Sequence, residues 1–226
     1  MRRKMSAEAL DYYGVSLSLF LQVLAQKRGD KNKRYSLHEP AVWCIAKGKV
    51  SKKYEFGCKV SVVRGAHSGV IVGMKNFPGN PYDGNTLEAS LDQVERIRKD
   101  AGGNRPSIAV GDRGYRGPKM VGTTQICIPG RGRKDQTYYE KQKQRKRFRR
   151  RAGIEPVIGH LKHDHRMLRN YLHGELGDAI NCLLAGAAFN LKMRLNQIRA
   201  LIWRVLALMS GWVVPQKSHN RRLLPI

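Results

Sequence analysis

The apolar positions of this chain change period several times, and each change marks an element. Leu17, Phe20, Leu21 and Leu24 recur at helical spacing, which predicts a helix over residues 6–28. Residues 29–53 are polar and basic without a clean period and predict a loop. "YEFGCKVSVV" (54–63) alternates and is rich in β-branched residues, and "VIVGMKNF" (70–77) follows after a turn at "HSG", so the pair predicts a hairpin. "PGNPYDGNT" is dense in turn formers. Asn85 or Thr86 then caps a helix to about Asp100, with Leu87, Leu91, Val94 and Ile97 on one face. "SIAVGD" (107–112) predicts a short buried strand, and "TQICIPG" another. Residues 155–169 are helical in pattern. Residues 174–209 predict a long, mostly apolar helix, with Gly186 as the place for a break. Residues 213–226 have the composition of a frayed basic tail. The order is that of an α/β layered domain with a hairpin near its start, without internal repeats.

Composition changes the picture in one respect. The 226 residues are 41% hydrophobic, enough for a core, but carry a formal net charge of +26. Charge of that size opposes compaction unless a polyanion neutralises it, so nucleic acid is the first partner class and an anionic membrane the second. From 131 to 151, eleven of 21 positions are Lys or Arg. Such a run is either a solvated helix face or tail, or a phosphate-binding surface. No stretch reaches the roughly 20 apolar residues of a membrane span. Asp178, Lys192, Arg194, Arg199 and Arg204 argue further against inserting the last helix. "MRRK" ahead of an apolar stretch imitates a signal peptide, but Glu8 and Asp11 interrupt it. Cys44, Cys58, Cys127 and Cys182 are scattered without a CxxC pair, as reduced thiols of a cytosolic protein are.

Two carboxylates stand where chemistry often sits. Asp112 ends the strand "SIAVGD" ahead of "RGYRG", and strand ends open onto ligand crevices in α/β sheets; it could equally cap the turn. Glu155 lies in "RRRAGIEPVIGHLKHDHR", on one helical stripe with Arg151 and Lys162 at about 100° per residue, with Phe148 seven positions earlier. Pro156 fits a first helical turn or forces a kink, so that stripe spans a break. The same spacing also suits plain ion pairs on a basic helix. Two distant carboxylates among cations are a donor set for Mg²⁺ in phosphodiester chemistry. His160, His163 and His165 lack the spacing of a standard zinc finger. They read as helix-surface residues or phosphate contacts. "GDRGYRG" lacks the features of a nucleotide-binding glycine loop.

At these residues the chain resembles bacterial insertion-sequence transposases of the DDE type, in the insertion-sequence-five group. The resemblance rests on "YSLHEPAVWCIAKGKVSKKYEFGCKVSVV", "GNPYDGNTL", "VGDRGYRG" and "RRRAGIEPVIGHLKHDHRMLRNYLHGELGDAINCLLAGAAFNL", collinear between residues 35 and 191. The family's Y-(2)-R-(3)-E-(6)-K signature falls on Phe148, Arg151, Glu155 and Lys162, with phenylalanine in place of the tyrosine. The resemblance implies an RNase H-like mixed sheet flanked by helices. It implies Asp112 and Glu155 as the second and third catalytic acids and as ligands of Mg²⁺ or Mn²⁺. It implies Arg151 and Lys162 as DNA contacts near the cleaved strand. Arg147, Phe148, Arg149, Arg150 and His160, in and beside the basic run, extend that DNA-binding surface.

The family's first aspartate lies on a first strand, in a stretch such as "DTTV", and residues 1–34 offer no match to it. The expectation is therefore a C-terminal part of a transposase without that strand, leaving an unpaired edge on residues 54–63. Asp83 and Glu55 are the other carboxylates that could take the missing place. The expected organisation is an N-terminal helical and basic segment (1–33), a truncated catalytic domain (34–209) and a basic tail (210–226). Expected partners are insertion-sequence ends and target DNA in the cytoplasm, at the nucleoid, with a homodimer open. Three functions follow: a metal-dependent transposase, a catalytically inactive DNA-binding remnant, or an unrelated basic RNA-binding protein.

Overall fold

The computed structural model describes residues 5–46, 53–130 and 136–210. It opens on α1 (Ala7–Ala25), capped where Ala9 N donates to Ser6 Oγ at 3.2 Å. Next come β1 (Trp43–Ala46), β2 (Tyr54–Gly57), β3 (Lys59–Arg64) and β4 (Ile71–Phe77). After a short 3₁₀ turn, α2 (Leu87–Asp100) leads to β5 (Ile108–Val110), β6 (Met120–Val121) and β7 (Thr124–Cys127). The chain closes with α3 (Tyr138–Ala152), α4 (Ile154–His163) and α5 (Gly174–Met209).

The fold is mixed α/β, but the strands form three small sheets: β1–β2, β3–β4 and β5–β7–β6. Three local readings of the sequence are corrected here. The strand expected over 54–63 is two strands, because Gly57 adopts φ +142°, a value β-branched residues avoid, and turns the chain at Cys58. Its first part pairs antiparallel with Trp43–Ala46, a strand inside the expected loop, in the register Trp43↔Gly57 to Ala46↔Tyr54. The 155–169 helix ends at His163, where the chain turns through Arg166 at φ 57°. The expected hairpin is present, with β3 antiparallel to β4 and a register shift at Val63/Arg64. The tail from 213 and residues 131–135 lie outside the described residues.

Two cores hold these pieces. Ile71 and Met74 of β4 pack with Val157 and Leu161 of α4 and with Cys182 and Ala185 of α5. Leu87 and Leu91 of α2 pack with Val121 of β6 and Ile126 of β7 in the three-stranded sheet. α5 runs unbroken through Gly186, where a Cβ would collide with the sulfur of Met74, so glycine there sets how closely α5 approaches β4. Asn190 fastens the same contact: Ile71 N donates to its Oδ1 (2.9 Å), and its Nδ2 donates to Ile71 O (2.8 Å). Those two bonds pair backbone groups of a strand end that would otherwise stay open. Leu161 is fully buried at the centre of the first core. Leu161→Ala is expected to lower unfolding free energy by about 3 kcal/mol, read as a shift of the urea midpoint at constant slope.

Between the cores, β3 pairs only with β4, and β5 only with β7, among the described residues. Residues of both strands line one cleft of about 690 Å³.

Candidate functional site

Of the residues singled out in the sequence, Asp112, Arg147, Arg150 and Arg151 line that cleft. α3 begins with a reciprocal cap: Glu140 N donates to Thr137 Oγ1 (3.3 Å) and Thr137 N to Glu140 Oε2 (3.0 Å). Arg149, Arg150 and Arg151 occupy its last turn, where cations suit the helix dipole. Eight of its fifteen residues are Lys or Arg and none is buried, so the helix is held by its ends and neighbours rather than by an apolar stripe. The run in 131–151 is thus a helix from Tyr138 onward, with a cationic surface.

Gly153 separates α3 from α4, and Pro156 falls in the first turn of α4, where its missing N–H costs nothing. The stripe of Arg151, Glu155 and Lys162 thus spans a break between two helices. Arg64, at the end of β3, secures the junction: its Nη1 donates to Gly153 O at 3.0 Å and its Nε to Gly69 O at 3.0 Å. No sequence pattern marks Arg64, because its role depends on a contact 89 positions away.

Arg151 joins the two carboxylates. Its Nη2 lies 3.0 Å from Asp112 Oδ2 and its Nη1 3.1 Å from Glu155 Oε1. Asp112 and Glu155 therefore converge on one guanidinium from elements 43 positions apart. Both bland alternatives are also realised. Asp112 Oδ1 accepts from Gly114 N at 2.8 Å, and the Arg151–Glu155 contact is an i,i+4 pair. The Glu155 side chain is 67% exposed, so these contacts amount to about 0–1 kcal/mol each, too little to explain the arrangement by stability.

A third carboxylate stands close by. A Cβ on Gly114 would collide with Asp83 Oδ2 and lie 3.0 Å from Asp112 Oδ1, so Asp83 and Asp112 both abut that glycine. Asp83 also accepts from Lys59 Nζ at 2.8 Å. Tyr115 packs beside them, and burial, with both aspartates near, raises its phenol above the usual range.

The other singled-out residues distribute around this centre. Lys162 Nζ lies 3.8 Å from Glu55 Oε2. Arg147 Nη1 reaches Cys127 Sγ at 3.8 Å, and Arg150 Nη1 lies 3.2 Å from His67 Nε2. Arg149 is exposed and Phe148 half-buried. His160 Nδ1 lies 2.9 Å from Asp164 Oδ2, which also accepts from Lys192 Nζ at 3.2 Å; the His160 bond, then Lys192, holds the Asp164 carboxyl below its usual range. His163 is exposed, and His165 stacks edge-on to Phe189 at 6.1 Å, with burial lowering its imidazole. His160 and His165 thus go to different neighbours. Among the described residues no group of three or more His, Cys, Asp or Glu side chains is gathered to hold a metal ion. No described helix is long and apolar enough to cross a membrane.

The oxygen donors that are present suit Mg²⁺ in kind. Magnesium is commonly held by one or two carboxylates, with water and substrate phosphate completing its shell, and two carboxylate oxygens here already face one cationic group. Residues 26–191 match the family model described as "Transposase DDE domain". No curated protein and no solved structure matches the chain.

Proposed function

Because the chain belongs to the transposase DDE domain family, we propose that it binds DNA along α3 and cleaves and joins DNA strands at Asp112 and Glu155. In this reading it is an insertion-sequence transposase of the insertion-sequence-five group. The observation that carries it is the double contact of Arg151 with both carboxylates, at the end of a helix with eight cations.

The residues divide the work as follows. Arg145, Lys146 and Arg149, all exposed, neutralise backbone phosphates and set position without reading bases. Arg151 is a positioning residue that aims Asp112 Oδ2 and Glu155 Oε1 at one point. Lys162, steadied by Glu55, faces the neighbouring phosphate. A bound Mg²⁺ or Mn²⁺ would supply Lewis-acid polarisation of the phosphodiester and an activated water or 3′-hydroxyl. Asp112 and Glu155 would hold it, and Asp83, beside Asp112, is the nearest further carboxylate. The unpaired edges of β3 and β5 support an RNase H-like sheet that is complete only when a strand lies between them. We assign residues 34–209 to the catalytic unit, with 1–33 and 210–226 as its flanks.

A second reading is a DNA-binding remnant without activity. It is favoured by the convergence of only two carboxylates on Arg151. One assay separates the readings: nicking and strand transfer on duplexes bearing the ends of the encoding element, with Mg²⁺ and with chelator. Metal-dependent products support the transposase. Retention of DNA without any product in either condition supports the remnant.

A further inference from the structure

The hairpin of β1 and β2 has two unlike faces. In its register Cys44 stands opposite Phe56 and Ala46 opposite Tyr54, so these four share one face, and Trp43, Ile45 and Glu55 share the other. The second face meets the body of the molecule. Glu55 Oε2 lies 3.8 Å from Lys162 Nζ of α4, and Trp43 lies over Gly79, where a Cβ would sit 3.6 Å from the indole. Ahead of β1, Glu39 Oε2 accepts from Gly174 N at 3.0 Å, at the start of α5. These contacts leave the first face outward. Tyr35 joins it there, its ring 5.5 Å from that of Phe56. Tyr35, Tyr54 and Phe56 are 47%, 55% and 61% exposed. We propose that this face is a stacking platform for unpaired bases of a DNA strand that reaches the neighbouring carboxylates.

The side chains on the face suit a base. Cys44 and Ala46 are small, so the three rings stand above them. Ring faces stack on bases of any sequence. Positions two apart on an antiparallel strand are separated by about 6.8 Å, twice the roughly 3.4 Å rise per nucleotide, so the spacing of Tyr54 and Phe56 matches one base held between two rings. Desolvation, then Cys44, raises the Tyr35 phenol above its usual range, which keeps it uncharged towards a phosphate backbone.

Charge selects nucleic acid as the occupant. Residues 27–59 contain ten Lys or Arg and three acids. Each of the three acids is engaged by a neighbour: Asp30 Oδ2 accepts from Lys27 N, Glu39 Oε2 from Gly174 N, and Glu55 lies beside Lys162. Arg34 and Lys53, next in sequence to Tyr35 and Tyr54, are exposed. Cations beside rings are the combination that holds a single strand, the cations on its backbone and the rings on its bases. Position adds to this. Lys162, which meets the hairpin, follows Glu155 by seven positions in α4, about 10 Å along the helix, or about three nucleotides at duplex rise. The proposal rests on the DNA-binding reading above and adds to it a preference for opened over paired DNA.

The test is fluorescence anisotropy of the full chain with three probes: a blunt duplex, the same duplex with a short thymidine overhang, and the same duplex with an overhang of abasic sugars. The wild type is expected to bind the thymidine overhang about 10-fold more tightly than the abasic one. The double variant Tyr54→Ala with Phe56→Ala is expected to lose that preference and to bind the blunt duplex as the wild type does, because α3 is untouched. Both side chains are exposed, and thermal transitions of the same preparations check the fold. Tyr54→Phe keeps the ring and is expected to keep the preference. Equal binding of thymidine and abasic overhangs by the wild type overturns the proposal without recourse to any variant, since phosphates alone then account for the contact. A preference that survives the double variant overturns it too, and a fall in solution mass in that same variant would give the face to a second copy of the chain. Failure of the wild type to bind even the blunt duplex is a separate result: it removes the DNA-binding reading and this proposal with it.

Discussion

Asp112→Asn is expected to reduce metal-dependent DNA cleavage by about 10³-fold while leaving the fold and the affinity for DNA unchanged. The substitution is nearly isosteric. Its amide oxygen still accepts from Gly114 N, the bond that shapes the turn after β5 at 2.8 Å. The charge at Oδ2, 3.0 Å from Arg151 Nη2, is lost. The Asp112 side chain is 44% exposed, so that pair contributes at most about 1 kcal/mol to stability. A turn-capping role alone therefore predicts little change in either activity or melting. A metal-holding role predicts collapse of activity without change in melting. Glu155→Gln is expected to behave the same way, since glutamine can still accept from Arg151 Nη1. Initial rates of nicking and thermal melts of the same preparations give the comparison. Equal rates in wild type and Asp112→Asn would remove Asp112 from the chemistry.

The second large effect concerns affinity. Replacing Lys141, Arg145, Lys146 and Arg149 together by glutamine removes four exposed cations from one side of α3 without changing helix propensity appreciably. Each phosphate contact contributes about 0.9 to the slope of log affinity against log salt, so the slope is expected to fall by about 3–4. Affinity at low salt is expected to drop about 10²- to 10³-fold, equally for specific and unrelated duplexes, because phosphate contacts carry no sequence information. Fluorescence anisotropy over a salt series measures both quantities. An unchanged slope would place the DNA on another face. The capping box at Thr137 and Glu140 is untouched, so helix loss does not mimic the effect.

The parts of this fold legible in the sequence are those with local causes. α2 follows from the spacing of Leu87, Leu91 and Val94, and the β3–β4 hairpin from alternation around "HSG". β1 escaped because its four residues have no alternation of their own, and their strand character comes from pairing with Tyr54–Gly57. The division of 54–63 depended on the conformation of one glycine, Gly57. At the site, Asp112 and Glu155 stood out as acids in a basic chain. That Arg151 contacts both required the relative position of β5 and α3. The neighbourhood of Asp83 and Asp112 around Gly114 and the bracing of Gly153 by Arg64 are likewise tertiary.

The proposed chemistry requires Asp112 and Glu155 to share one cation-holding place. Paramagnetic broadening by Mn²⁺ of the amide resonances of the folded chain tests this without any need for turnover. The predicted result is that amides around Gly114 and around Glu155 broaden together, at the same low Mn²⁺ concentration, and that Asp112→Asn relieves both. Broadening confined to one of the two segments, or surviving in that variant, would contradict it.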